Sequence, residues 1–194
     1  MEQTMPFKKY KKKLKNELDK DRFQHTIGVA YTATSLAMSH GYDINKAYLA
    51  GLMHDCAKCI PLEDKLQLCK KYHVELTQSE LDNPALIHAK LGAYVAKNQY
   101  GIKDEEILLA IRYHTTGRPE MSLLEKIIYI ADYIEPYRRH LPNMNEIRES
   151  AFRDIDEALI KMMENTLTFL ESKNQAIDPL TREACEYYIK QKHS

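Results

Sequence analysis

Two aspartates occupy stretches of the sequence that are otherwise apolar. Asp55 follows His54 in LAGLMHDCA, and Asp132 is the only charged residue in IIYIADYI. Removing a carboxylate from water costs several kcal/mol unless the group is paired, hydrogen-bonded or bound to a metal ion. Each aspartate is therefore predicted to have a specific partner, which is either a lysine or arginine side chain or a metal ion.

Histidines at helical positions could share a metal ion with these carboxylates. Four of them lie beside apolar stripes: His25, His54, His88 and His114. Any one alone would be typical of a buried or capping residue, but imidazole and carboxylate together suit Fe, Mn or Zn better than Ca. Adjacent side chains on a helix point about 100° apart, so His54 and Asp55 need further ligands from other helices. His25 and Asp132 lie on other helices.

The segments that carry these residues have the periodicity of helices. Alternating strand patterns are absent, and neither Gly-rich phosphate motif, GxGxxG or GxxxxGK[ST], occurs. Ser122 and Glu125 form a capping box ahead of a run that Pro136 ends, and Pro61 opens another helix. The other predicted helices span residues 10–19, 25–38, 44–57, 87–99, 105–114, 151–171 and 180–190.

These elements predict an all-α protein with a single domain over residues 1–194. Its core would comprise about residues 18–140, and the C-terminal helices, within residues 151–194, would pack on that core. Residues 174–179 form the expected joint before the last helix, which would fold back on the bundle.

Composition and charge narrow the expected partners. The chain has 28 basic and 28 acidic residues, so its net charge gives no reason to expect binding to nucleic acid or to a membrane. No apolar run approaches the roughly 20 residues that span a bilayer. The four cysteines do not resemble a disulfide framework. We therefore expect a cytoplasmic protein, and exposed apolar residues on the long helix would permit a homodimer.

Cys56 and Cys59 form a Cys-x-x-Cys pair beside Asp55. A structural zinc site requires four ligands, and the sequence has no second pair of this kind. Thioredoxin-like redox chemistry requires a βαβ setting, which is also absent. Both cysteines are therefore predicted to be small packing residues.

His25, His54-Asp55 and Asp132, in this order along a helical chain, resemble the signature of the HD-domain metal-dependent phosphohydrolases. Within that superfamily, the local segments are similar to those of the YqeK group: GLMHDCAK, IHAKLGA, AIRYHTTG and YIADYIEP. Members of this group are bacterial enzymes that hydrolyse diadenosine tetraphosphate symmetrically to two ADP, and they are described as iron-binding. The resemblance covers about residues 18–140 and extends more weakly to the C-terminus.

The resemblance implies a role for each of these residues. A first metal ion, iron or alternatively Mn, Co or Zn, would be held by four side chains: His25, His54, Asp55 and Asp132. His88 and His114 would either bind a second ion, with Asp55 as the bridging carboxylate, or hydrogen-bond the phosphates, since imidazole does both. A metal-bound hydroxide would attack an inner phosphate, so no serine or cysteine nucleophile is required.

Cationic residues near the proposed ligands would bind the phosphates. Lys58 lies four residues after His54, and Arg22 lies three residues before His25, so each shares a helix face with a ligand. Arg22 could hold a phosphate through two hydrogen bonds, and Lys58 is assigned to catalysis together with Asp55. Three further residues are candidates for nucleotide binding: Thr115, Arg138 and Arg182.

Two other functions fit the same residues. The protein could be a nucleotide or alarmone sensor that hydrolyses little, because motif residues do not separate binding from turnover. It could also be an HD phosphohydrolase that acts on another nucleotide, such as a nucleoside mono- or triphosphate. A cyclic dinucleotide is disfavoured, because the Gly-Tyr-Pro signature of that group has no counterpart here and Gly41-Tyr42 is followed by Asp43.

Overall fold

The computed structural model describes residues 7–138 and 143–192. Within these ranges every regular element is helical and no β-strand occurs, which confirms the all-α prediction. A short 3-10 turn lies at Pro84–Leu86. The α-helices in the described ranges are α1 (Lys8–Glu17), α2 (Lys20–Ser39), α3 (Ile44–Met53), α4 (Leu62–Tyr72), α5 (Gln78–Asp82), α6 (Ile87–Gln99), α7 (Glu105–Tyr113), α8 (Leu123–Ile134), α9 (Met144–Ala151), α10 (Ile155–Ser172) and α11 (Pro179–Lys192).

Short polar side chains determine where several helices begin. The capping box predicted at Ser122 is present, because its hydroxyl accepts from the Glu125 backbone N–H and the Glu125 carboxylate accepts from the Ser122 N–H. Asp19 and Asp104 cap α2 and α7 by accepting backbone N–H groups of the first turn. These caps set the first residues of three helices that carry, or lead directly into, the candidate site residues.

One predicted helix near the C-terminus begins too early, and two short helices were not predicted. The helix predicted over residues 151–171 is wrong at its start, because Asp154 caps α10 by accepting from the N–H groups of Asp156 and Glu157. The residues before this cap form the separate helix α9, which the sequence analysis did not identify. The short helix α5, opened by a capping box at Thr77, was also missed.

The helix predicted over residues 44–57 is too long, because α3 ends at Met53. Beyond it the chain continues in tight turns, in which Cys56 N–H donates to Met53 O and Lys58 N–H donates to Asp55 O. Hydrogen bonds over three residues wind the chain more tightly than an α-helix. His54 and Asp55 therefore lie just past the end of α3 rather than inside a helix.

The buried apolar side chains form one cluster, around which the helices pack. Helix α8 contacts α2, α3, α7 and α10, and α2 packs closely against α3. Gly51 permits this close approach, since a Cβ at that position would lie 2.8 Å from the Ala30 Cα. Helix α11 packs on α10, and the Tyr188 hydroxyl accepts a hydrogen bond of 2.7 Å from the Met121 N–H. The last helix thus folds back on the bundle as predicted, whereas the domain limits stay a prediction.

Among the described residues, no helix combines the length and the apolar character needed to cross a lipid bilayer.

Candidate metal centre

Four histidine side chains converge on the carboxylate of Asp55. They come from α2, from the turn after α3, from α6 and from the turn after α7: His25, His54, His88 and His114. Their Nε2 atoms lie 3.1 to 3.8 Å from an oxygen of Asp55. All five residues are buried. The structure therefore brings together, in one place, the histidines and the carboxylate that the sequence singled out.

Each imidazole ring is oriented by a hydrogen bond from its other nitrogen. The Nδ1 atoms of His54, His88 and His114 lie 2.7, 2.5 and 2.8 Å from the backbone carbonyl oxygen three residues earlier. The Nδ1 of His25 lies 3.0 Å from Glu135 Oε1. Carbonyl and carboxylate oxygens only accept, so the hydrogen resides on Nδ1 and the lone pair of a neutral ring is on Nε2. Histidines that bind metals are commonly held in this manner.

One oxygen of Asp55, Oδ2, faces a first group of ligand atoms. It lies 3.2 Å from His54 Nε2 and 3.8 Å from His25 Nε2. Asp132 approaches the same group from α8, with Oδ1 2.9 Å from His25 Nε2 and 3.9 Å from His54 Nε2. Both Nε2 atoms are buried and form no hydrogen bond within the described part of the chain. Buried polar atoms are normally satisfied, so this group fits a metal ion as the missing partner.

The other oxygen of Asp55, Oδ1, faces a second group. It lies 3.1 Å from His88 Nε2 and 3.6 Å from His114 Nε2, and these two nitrogens are 3.2 Å apart. Two lone pairs at that distance repel each other unless a proton or a cation lies between them. The ligand atoms of this group lie within 4.8 Å of one another. A separate oxygen of Asp55 therefore faces each group, and Asp55 would contribute one ligand atom to each if both groups held a metal ion.

The charges around the first group favour a cation. Burial lowers the pKa of His25, but the neighbouring carboxylates of Asp132 and Glu135 outweigh this effect and raise the pKa to about 9. Burial would raise the pKa of Asp132, yet His25 and Arg138 hold that pKa well below its usual value. An Nε2 atom that attracts a proton this strongly can bind a metal ion in its place. In the second group burial lowers the pKa of His88 to about 4, which leaves this ring neutral near pH 7.

Glu135 is a site residue that the sequence analysis missed. It is buried just after α8, accepts from His25 Nδ1, and through Oε2 accepts the Tyr137 N–H at 2.7 Å. Gly28 on α2 makes room for it, since a Cβ at Gly28 would lie 2.5 Å from Glu135 Oε2. Its position three residues after Asp132, on the same helix face, was the available signal in the sequence.

Residues of both groups, though not His54, line a cavity of about 1420 Å³, which is larger than the roughly 300–1,000 Å³ of most small-molecule pockets. Four of the predicted nucleotide-binding residues also line it: Arg22, Lys58, Thr115 and Arg138. An Nη1 atom of Arg22 lies 2.8 Å from Asp55 Oδ2, and one of Arg138 lies 3.3 Å from Asp132 Oδ1. Lys58 Nζ lies 3.4 Å from His88 Nε2. The cationic side chains thus stand beside both groups.

The structure does not bring Arg182 to this cavity. Its guanidinium pairs with Glu171 at 3.0 Å on the exposed side of α10 and α11, and it is not among the lining residues. The physical reason is that α11 packs against α10, so the opposite side of α10 faces the cavity. Cys56 and Cys59 do not pair with each other either, since Cys56 donates to the Gly92 carbonyl and Cys59 to Asp19 Oδ2.

A family model and several known proteins match this chain. The model of the HD domain matches residues 22–137, a range that contains both ligand groups and Glu135. The chain belongs to the HD domain family. The HD-domain match begins at Arg22 and ends at Tyr137, so α1, α9, α10 and α11 lie outside it.

Relatives of this HD protein are similar over most of its length. The symmetrical bis(5′-nucleosyl)-tetraphosphatase of Bacillus subtilis (strain 168) is 46% identical over 169 residues, which cover 87% of this chain and 89% of that protein. The protein of the same name from Staphylococcus aureus is 36% identical over 187 residues, or 95% of each chain. The crystal structure of a predicted HD superfamily hydrolase involved in NAD metabolism from Clostridium acetobutylicum superposes with a TM-score of 0.91 at 43% identity, covering 95% of this chain and 97% of that one.

Proposed function

We propose that this HD protein is a metal-dependent hydrolase that cleaves diadenosine tetraphosphate symmetrically to two ADP. The observation that carries the proposal is the position of Asp55, which presents one carboxylate oxygen to each histidine group in a cavity with cationic side chains. The relatives named symmetrical bis(5′-nucleosyl)-tetraphosphatase support this substrate. On this proposal the ligand is a nucleotide rather than a nucleic acid or a membrane, and the protein acts in the cytoplasm.

The cofactor in this proposal is one or two divalent transition-metal ions. Imidazole and carboxylate ligands suit such ions better than they suit Ca, and iron is the first choice because of the resemblance to the YqeK group. When bound, such an ion lowers the pKa of a coordinated water and stabilises charge on the phosphoryl group. Elemental analysis of protein purified without added metal measures the identity and number of the ions.

The chain's own cations would hold the polyphosphate beside the ligand groups. Arg22 and Arg138 rest on the carboxylates of Asp55 and Asp132, and they could exchange these partners for phosphate oxygens once a cation neutralises the carboxylates. A guanidinium can bind a phosphate through two parallel hydrogen bonds. Lys58 supplies a more compact charge, and burial lowers the pKa of its ammonium group.

The product assay is the direct test of the proposed reaction. Protein supplied with Fe²⁺, Mn²⁺ or Co²⁺ is expected to convert diadenosine tetraphosphate to ADP as the sole nucleotide product, because attack at an inner phosphate leaves two equal halves. Chromatography separates ADP from AMP and ATP, and protein stripped with a chelator is the control. The appearance of AMP plus ATP would rule out symmetric cleavage. Nucleotide binding without turnover would instead identify a sensor.

Lys58→Ala is expected to raise the KM for diadenosine tetraphosphate about tenfold or more and to leave the metal content unchanged. A hydrogen bond to a charged group is worth roughly 1.5–3 kcal/mol, which corresponds to about 10- to 150-fold in affinity. Steady-state kinetics and the dissociation constant of ADP measure the effect, and Lys70→Ala, at an exposed position of α4, is the control. A fall in kcat with an unchanged KM would show that Lys58 acts in the chemical step and does not contribute to substrate binding. Unchanged kinetics would show that Lys58 contributes to neither.

A further inference from the structure

Lys65, on α4, is a charged residue that is buried without a carboxylate partner. Its side chain is 9% exposed, and burial lowers the pKa of its ammonium group because removing a charge from water is unfavourable. Buried lysines are normally paired with an opposite charge. Within the described ranges Lys65 forms no ion pair, and its Nζ donates a hydrogen bond of 3.0 Å to the backbone carbonyl of Lys58. A buried cation therefore holds one point of the backbone beside the candidate metal centre.

The Lys58 backbone is held at both of its polar groups. Its N–H donates to the Asp55 carbonyl at 2.9 Å, and its own carbonyl accepts from Lys65. The first bond ties Lys58 to the turn that carries a candidate metal ligand, and the second ties it to α4. Because the backbone conformation of a residue restricts the rotamers of its side chain, the two bonds limit the directions in which the Lys58 side chain can point.

The Lys58 side chain enters the cavity, whereas Lys65 stays behind it. Lys58 lines the cavity, and its Nζ lies 3.4 Å from His88 Nε2. Lys65 is not among the lining residues. A lysine ammonium group sits on a flexible four-carbon stem, so its position depends on how firmly the backbone beneath it is held. Lys65 can therefore act on a ligand in the cavity through Lys58 rather than by direct contact.

Helix α4 gives Lys65 a firm base. The Lys65 N–H donates to the Pro61 carbonyl at 2.9 Å in the first turn of α4, and α4 packs on α6, the helix that carries His88. Only residues 59–61 separate Lys58 from α4. A donor on a packed helix holds its acceptor more precisely than a donor on a loop. The hydrogen bond from Lys65 therefore fixes Lys58 relative to the helix that carries His88.

We propose that Lys65 is a positioning residue, which fixes the Lys58 carbonyl so that the Lys58 ammonium group reaches the phosphates of the nucleotide. This inference rests on the proposed function, because it takes Lys58 to bind those phosphates. Lys65 itself touches neither the nucleotide nor a metal ion. Its contribution to nucleotide affinity therefore disappears when the Lys58 ammonium group is removed.

The test is a double-mutant cycle between the two lysines, with ADP affinity as the readout. Lys65→Met removes the donor and keeps most of the side-chain volume. It is expected to weaken ADP binding about tenfold, since misplacement of a group by about 1 Å can cost about a hundredfold, and to leave the metal content unchanged. In Lys58→Ala protein the same substitution should have no further effect, because the group that it positions is missing. Calorimetry on metal-replete protein measures the dissociation constants, and elemental analysis measures the metal.

Three further variants serve as controls. Lys65→Arg keeps a charged donor and should retain most of the ADP affinity. Lys70→Met makes the same substitution at an exposed lysine of α4 and should not change the affinity. Lys65→Gln, which stays polar but is one atom shorter, takes the place of Lys65→Met in the cycle if circular dichroism shows that Lys65→Met does not fold.

Each outcome supports or overturns the positioning role. Equal ADP affinity in Lys65→Met and the wild type overturns it, as does a wild type that binds no ADP. A loss of the same size with and without the Lys58 ammonium group would mean that Lys65 acts independently of Lys58, and it also overturns the proposal. Loss of metal in Lys65→Met would assign Lys65 to the support of Asp55 instead. If the wild type does not hydrolyse diadenosine tetraphosphate but the two lysines are coupled in ADP binding, the proposed function fails and the positioning role stands.

Discussion

Asp55→Ala is expected to lose bound metal and hydrolytic activity together, with kcat/KM at least about a thousandfold lower. A catalytic metal ion contributes several kcal/mol to the stabilisation of the transition state, and about 4 kcal/mol corresponds to a thousandfold in rate. Among the described residues, only Asp55 presents one oxygen to each group of histidines, so the substitution removes a carboxylate oxygen from both groups at once. Elemental analysis and steady-state kinetics on the same preparation measure the two losses.

Two further variants separate metal loss from unfolding. Asp55→Asn keeps the volume of the side chain and is expected to show the same two losses, while circular dichroism reports whether the helices persist. Asp64→Ala removes an exposed carboxylate from the first turn of α4 and should retain both metal and activity. An Asp55→Ala protein that is folded, metal-replete and active would refute the assignment of the site.

The same measurement distinguishes a site with one ion from a site with two. His88 belongs only to the second group, and its Nε2 atom faces that of His114 at 3.2 Å. Since this close approach of two lone pairs calls for a cation, we expect His88→Ala to lose one of two bound ions. Metal content equal to that of the wild type would instead assign His88 to the phosphates.

Glu135→Ala is expected to weaken metal binding about 10- to 100-fold, which is the usual cost of removing a hydrogen-bond partner from a metal-binding histidine. Glu135 orients His25, because its Oε1 accepts from Nδ1 and leaves the lone pair on Nε2 for the metal. Without this acceptor the ring can rotate or carry its hydrogen on Nε2. Competition with a chromophoric chelator measures the dissociation constant of the metal independently of activity.

Matched variants show whether Glu135 acts through its hydrogen bond. Glu135→Gln retains an acceptor for His25 and should lose much less affinity than Glu135→Ala. Gly28→Ala should mimic Glu135→Ala in part, since the added Cβ would lie 2.5 Å from Glu135 Oε2 and displace the carboxylate. Glu63→Ala, on the exposed first turn of α4, is the control. If Glu135→Ala and the wild type bind the metal with equal affinity, Glu135 is a buried hydrogen-bond partner of His25 that does not affect metal binding.

The sequence alone was sufficient for the helical class, for several helix starts and for the family. Capping residues act on the first turn that follows them, which is why Ser122 correctly predicted the start of α8. The order of His25, His54-Asp55 and Asp132 was enough to suggest the HD signature, and the match of the HD domain over residues 22–137 confirmed it. The short helices α5 and α9 were not predicted, because each has too few apolar residues to show the periodicity of a helix.

Distances between helices were decided only by the tertiary structure. The sequence left open whether His88 and His114 face a metal or a phosphate, and the packing of α6 against α7 placed their Nε2 atoms on one oxygen of Asp55. Helix packing also brings Glu135 into contact with His25, although the two residues are 110 positions apart in the sequence. It places Arg182 away from the cavity. Residue types and their order determine which chemistry is available. The direction in which each carboxylate oxygen points depends on contacts between segments that are distant in the chain, which no local pattern encodes.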